Sequence, residues 1–274
     1  MQTSVYQIIT HTVSYSNIFV KDIEYFRSKY IFIDCKSSHY GGALELTIGT
    51  AAESTLKNLS FNRCDALQAG GAIYVSLSDG GKLTISELCS FADCKTYSDS
   101  SLYSGSGGAI QAYIGLNSQL ILEDTITFDR CTNGSGGGMC IRLAEYGSVR
   151  QTGSCFFTEC KSQNGGGLDI ETSRPNYDIQ LLGNMQFEGC ESDYEGGGFK
   201  LYCNKAGSVT INGMLFHNCN TTGAGGGFSY NGYDGAQMTI TDKVTFNNCN
   251  SQYNGGGGMY MTVRDSESMI NITG

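Results

Sequence analysis

The stretch Phe61-Asn62-Arg63-Cys64, followed six residues after the cysteine by Gly70-Gly71-Ala72-Ile73-Tyr74-Val75, decides the fold because it returns along the whole chain. The Phe/Cys pairs are Phe32/Cys35, Phe61/Cys64, Phe91/Cys94, Phe128/Cys131, Phe157/Cys160, Phe187/Cys190, Phe216/Cys219 and Phe246/Cys249. Successive cysteines lie 29, 30, 37, 29, 30, 29 and 30 residues apart, and a Ser/Tyr/Gly-rich insertion at Thr96–Ser106 fills the long interval. A fixed period in this range is the mark of a repeat architecture, where one small unit stacks on its copies.

Each repeat alternates with period two. After the glycines, Leu44, Ile73, Ile110, Met139, Leu168, Phe199, Phe228 and Met259 are apolar, and two residues on the pattern mostly repeats (Leu46, Val75, Ile141, Ile170, Leu201). The residues between are mostly polar: Glu45, Tyr74, Gln111, Cys140, Asp169, Lys200, Ser229 and Tyr260. That is a strand with one buried face. A second segment reads Leu83-Thr84-Ile85, Leu120-Ile121-Leu122 or Val209-Thr210-Ile211, and a third ends on the recurring phenylalanine. Three strands in about 30 residues predict an all-β, right-handed parallel β-helix of about eight rungs, the hand following the crossover rule. At ~4.8 Å per rung the rod would be about 40 Å long. The glycine pair fits a corner, where positive φ or close backbone packing excludes a Cβ. Residues 1–31 carry apolar patches but no Phe-x-x-Cys, so they read as an N-terminal cap or partial rung; the repeats occupy 32–274 and break off partway through one.

The formal net charge of −9 argues against a nucleic-acid partner, since phosphate binding needs a basic stripe. No transmembrane run of about 18 apolar residues occurs, and no basic stretch leads into an apolar core at Met1 as a secretory signal would require. No cofactor is expected: the glycine runs recur at every corner with no helix to follow, which is not a phosphate loop. Four Asn-x-Ser/Thr tripeptides, at Asn58, Asn133, Asn220 and Asn271, fit the glycosylation sequon.

Eight of the twelve cysteines fall at one equivalent position: Cys35, Cys64, Cys94, Cys131, Cys160, Cys190, Cys219 and Cys249. In a β-helix they stack as a column. Parallel side chains at ~4.8 Å hold their Cβ atoms beyond the usual disulfide range, so buried unpaired thiols are expected. Cys89, Cys155 and Cys203 belong to the core by register, and Cys140 alone takes an outward slot. No histidine cluster accompanies them, which argues against a metal site.

Phe-x-x-Asn followed by Gly-Gly-Ala and an aliphatic residue is the paired repeat of the chlamydial polymorphic outer-membrane proteins, autotransported adhesins with a β-helical passenger. Similar repeats, some with cysteine, occur in surface proteins of parasitic protists. This chain resembles both over roughly residues 32–262, most closely at Gly41-Gly42-Ala43-Leu44, Gly70-Gly71-Ala72-Ile73 and Gly107-Gly108-Ala109-Ile110. It departs in reading Gly-Gly-Gly in the later five repeats and cysteine in place of the motif's asparagine, though Asn218 and Asn248 stand one position earlier. With no membrane barrel within these 274 residues, the resemblance covers a passenger-like region. The resemblance implies an extracellular or cell-surface setting and a non-enzymatic adhesin-type module, the analogy resting on fold alone.

Two sets of residues could carry function on the post-glycine strand's outer face. Asp169 and Glu171, i and i+2, would point outward together about 7 Å apart, flanked by Arg142 and Lys200 on adjacent rungs. Such carboxylates suit a polysaccharide lyase or glycoside hydrolase; equally, stacked opposite charges stabilise a face by about 0.2–1 kcal/mol. Tyr74, Tyr113, Tyr202 and Tyr260 offer flat rings to a glycan or protein partner, or ordinary β-propensity. A third possibility is a structural spacer within a larger surface protein. The Thr96–Ser106 insertion, with Tyr97 and Tyr103, is the one excursion from the period.

Overall fold

In the computed structural model, which describes residues 6–9, 29–97, 105–132, 134–253 and 255–273, the repeats coil into a parallel β-solenoid of about eight turns, with no helix among the described residues. Every strand pair is parallel and joins a residue to its counterpart one repeat on: Phe61 pairs with Phe91, Ile73 with Ile110, Leu83 with Leu120. The rung containing Phe61 shows the circuit. Leu59–Asn62 belongs to the phenylalanine sheet, Ile73–Leu77 to the post-glycine sheet and Lys82–Ser86 to the closing sheet. Tyr6–Ile9 extends the phenylalanine sheet by pairing with Lys29–Ile33, so strand structure begins ahead of Phe32. Most of the Thr96–Ser106 insertion lies outside the described residues.

One element was not expected. Between the cysteine and the glycines a short fourth strand forms, such as Asp65–Ala66, Lys161–Asn164 or Glu191–Glu195, and these pair among themselves. The rung therefore has three long sides and one short one.

The core is columns of identical side chains. Neighbouring phenylalanine rings stack at 4.7–5.0 Å between centroids, within 11° of parallel. The residue before each cysteine has left-handed backbone: Asp34, Arg63, Asp93, Arg130, Glu159, Gly189, Asn218 and Asn248 all have φ of 49–61°. Asparagine at two of these positions is thus a conformational choice, because its short polar side chain tolerates that region. The glycine corner uses both properties expected of it. Gly70 has φ of 63°, and a Cβ on Gly71 would sit 2.0 Å from the carbonyl oxygen of Gly108 on the next rung.

Seven column cysteines are buried and Cys249, on the last rung, is partly exposed; none of the twelve cysteines is in a disulfide. The backbone bonds Asp65 N–H to Cys35 C=O, Lys95 to Cys64 and Thr132 to Cys94 carry the stacking through the column. Cys89, Cys155 and Cys203 are buried as their register requires.

Candidate functional site

The outer face of the post-glycine sheet divides into three parts along the rod. Near its start, Tyr74 stacks on Tyr40 at 4.5 Å, and burial pushes its hydroxyl pKa up. Tyr113, one rung on, is 52% exposed. Towards the far end, Lys200 lies 5.9 Å from the Tyr202 ring, Tyr202 tilts against Tyr233 at 5.6 Å, and the Arg264 guanidinium sits 5.6 Å from the Tyr233 ring. Tyr260 is half-buried and pairs in register with Ser229, apart from that group.

Between the two tyrosine groups lies the charged cluster. One Arg142 nitrogen, Nη1, is 3.1 Å from Asp169 Oδ2 and 2.8 Å from Glu171 Oε2. The expectation that Asp169 faces solvent with Glu171 is corrected here. The Asp169 side chain is wholly buried, and its Oδ1 has no hydrogen-bond partner among the described residues. An outward slot in a strand is set by alternation, but exposure is set by what stands on either side, and here Cys140 and Lys200 flank Asp169 in the ladder. Cys140 is likewise fully buried in its outward slot, and burial drives its thiol up to about 12. Burial raises the Asp169 carboxyl too, with Arg142 opposing it. Both carboxylates thus share one guanidinium across adjacent rungs.

The short fourth sheet builds a different feature. Over the later rungs its residues alternate exposed and buried although all are polar: Lys161, Ser162, Gln163; Glu191, Ser192, Asp193; Asn220, Thr221, Thr222. The inward Ser and Thr are small enough to fit, and Ser192 donates to Thr221 Oγ1 at 2.9 Å. Lys161 Nζ pairs with Glu191 at 2.8 Å. Together with Asn250 and Gln252 these residues line a groove of about 570 Å³ across successive rungs, within the range of ligand sites. A register shift follows Ser162: Asn164 pairs with Glu195, so the next rung carries one extra residue. That bulge accompanies the outward display of Tyr194, 60% exposed, and Tyr253 occupies the equivalent position two rungs on at 76%. Gly223 stands between them in sequence position, four residues after its cysteine as each tyrosine is after its own. Bulges commonly re-aim side chains at functional sites.

These groove residues were missed in the sequence because an all-polar segment gives no hydrophobic alternation. The recurring Ser/Thr two residues after Cys160, Cys190, Cys219 and Cys249, and the tyrosine four after Cys190 and Cys249, would have revealed them.

Among the described residues no group of three or more His, Cys, Asp or Glu could hold a metal ion, and no helix is long and apolar enough to cross a membrane. Comparison of the chain with protein-family models, curated proteins and solved structures finds no match.

Proposed function

We propose that the chain is a non-enzymatic, cell-surface module that binds an extended glycan, laid lengthwise in the groove over the fourth sheet. The observation that carries this reading is a floor of polar residues in which Asp193 and Gln252 are each followed in the chain by a highly exposed tyrosine, at equivalent positions two rungs apart. Two rungs correspond to roughly 10 Å, so Tyr194 and Tyr253 present ring faces to alternate units of a linear polymer while Ser, Thr, Asn and Gln supply hydrogen bonds. Tyrosine gives contact area at low entropy cost, and its hydroxyl stays wet. The groove's charges come in both signs, with Lys161 already paired to Glu191, which favours a neutral sugar chain over a strongly charged one. The resemblance to adhesin passengers points the same way by analogy.

The polysaccharide-cleaving alternative draws no support from Asp169 and Glu171, both held by Arg142. A glycan array probed with the purified chain tests the proposal. Binding to linear neutral glycans is expected, lost in Tyr194→Ala/Tyr253→Ala and kept in Tyr74→Ala/Tyr113→Ala. No binding, or binding that survives loss of both Tyr194 and Tyr253, would overturn it.

A further inference from the structure

The cysteine column takes no part in the groove, yet it is the most regular chemical feature of the molecule. We propose that it is a binding site for soft monovalent cations of the copper(I) and silver(I) class, each held linearly between the sulfurs of two adjacent rungs.

The geometry begins with the rotamer. At every rung the cysteine Sγ lies 3.4–3.7 Å from the carbonyl oxygen two residues back, from Cys35 to Ile33 through Cys249 to Asn247. The same contact eight times fixes the same rotamer eight times. The sulfurs therefore repeat with the rung, whose spacing is the 4.7–5.0 Å of the stacked phenylalanines three residues before each cysteine.

That spacing is wrong for a disulfide and right for a metal. A disulfide needs Cβ atoms about 3.5–4.5 Å apart and an S–S bond of about 2.05 Å, which parallel stacked side chains do not provide. Two metal–thiolate bonds of about 2.3 Å laid end to end span about 4.6 Å. A linear S–M–S unit thus fits between rungs with little backbone movement. The class of metal follows from the donors. Sulfur-only sites select soft ions, and zinc is disfavoured because no third or fourth ligand stands within reach among the described residues.

Charge is balanced in one step. A cation entering between two thiols replaces one S–H proton, which leaves to solvent; the second sulfur coordinates while keeping its hydrogen. One cation enters, one proton departs, and the core gains no net charge. That neutrality matters because seven of the eight column cysteines are buried, where an uncompensated charge is costly. With each sulfur used once, eight sulfurs hold at most four cations. Cys249, partly exposed, is the reachable end.

The test is a titration of the reduced, folded chain with silver(I) in chloride-free buffer, read by native mass spectrometry, proton release and X-ray absorption. Saturation near four ions per chain, one proton released per ion and a shell of two sulfurs are expected. Cys64→Ala/Cys131→Ala/Cys190→Ala leaves only Cys219 and Cys249 adjacent and should cut capacity fourfold, to one. The off-column variant Cys89→Ala/Cys140→Ala/Cys155→Ala/Cys203→Ala should keep four. Should the triple variant not fold, the off-column capacity and the native chain's sulfur shell decide the matter. Less than one ion per folded chain, a shell of three or more sulfurs, or capacity lost in the off-column variant would overturn the proposal.

Discussion

In the first three rungs the third corner position holds Ala43, Ala72 or Ala109; in the last five it holds Gly138, Gly167, Gly198, Gly227 or Gly258. The residue that follows changes with it. Leu44, Ile73 and Ile110 follow the alanines, whereas Met139, Leu168, Phe199, Phe228 and Met259 follow the glycines. In the later rungs a Cβ at Gly138, Gly198 or Gly227 would lie 2.6–2.7 Å from the phenylalanine ring of the following rung. There Phe199 and Phe228 stack at 4.9 Å and lie 6.1 and 6.3 Å from Phe187 and Phe216, forming a second aromatic column beside the first. The two halves share one backbone but divide the core volume differently between corner and strand. Both corners followed by a ring, at Phe199 and Phe228, are glycine, whereas a branched aliphatic follows either an alanine or, at Leu168, a glycine.

If the phenylalanine column is common to both halves, removing a ring should cost the same in each. Phe61→Ala and Phe187→Ala are each expected to lose about 3–5 kcal/mol in denaturant unfolding. A difference much larger than the error of the fits would break the equivalence and point to separate folding units, as repeat arrays allow.

Exchanging the corners is the sharper test and the effect is smaller. Gly227→Ala drives a methyl into the Phe246 ring and should cost about 1–3 kcal/mol by overpacking. Ala72→Gly removes a buried methyl and frees the unfolded backbone, at about 1–2 kcal/mol. A neutral Gly227→Ala would show that the later rungs relax around a Cβ, and the division of volume described here would be wrong.

The parts of this molecule that could be read directly were those whose side chains repeat in kind. Phe, Cys and the glycines recur at fixed spacing, and apolar alternation marks the three long strands. The fourth strand was invisible because its inward residues are Ser162, Ser192 and Thr221, hydroxyls that fit a narrow corner without any hydrophobic signal. Burial of Asp169 could not be read either, since it depends on Cys140 and Lys200, residues 29 and 31 positions away in the chain. Tyr194 follows the register shift between the Cys160 rung, with four residues before its glycines, and the Cys190 rung, with five. Apolar repetition exposes the scaffold; the candidate site lies in polar residues that carry no such signal.

The left-handed position before each cysteine also changes along the rod, but two rungs further on, after the fifth rung. Asp34, Arg63, Asp93, Arg130 and Glu159 alternate in sign up the early rungs, with Arg63 bidentate on Asp34 at 2.7 and 2.9 Å and Arg130 on Asp93 at 2.9 and 3.0 Å. Gly189, Asn218 and Asn248 replace them later, and Asn248 donates to Asn218 at 2.7 Å. These ion pairs are exposed, so salt should screen them. Arg130→Ala is expected to lower the unfolding temperature in dilute buffer and hardly at all in 1 M salt. Asn218→Ala should cost the same in both. An Arg130→Ala effect indifferent to salt would mean that its side chain acts by packing.

The smallest effect concerns two carboxylates depressed by different means. The Arg63 hydrogen bond and charge hold Asp34 below the ordinary carboxylate range. Asp265 is held at about 2 by hydrogen bonds from the Ser268 hydroxyl and from backbone N–H groups of its own turn. Both are lower in the folded chain than unfolded, so each favours folding at pH above the ordinary carboxylate range. That contribution fades as pH falls through the folded value, near 2 for Asp265. Raising the salt should lift the Asp34 midpoint, measured by NMR titration, because part of its depression is attraction to a solvated cation. The Asp265 midpoint should stay where it is, since short hydrogen bonds inside one turn are barely screened. Equal movement of both would mean that the early corner is held by hydrogen-bond geometry alone, and the alternation of sign from Asp34 to Glu159 would have no energetic consequence.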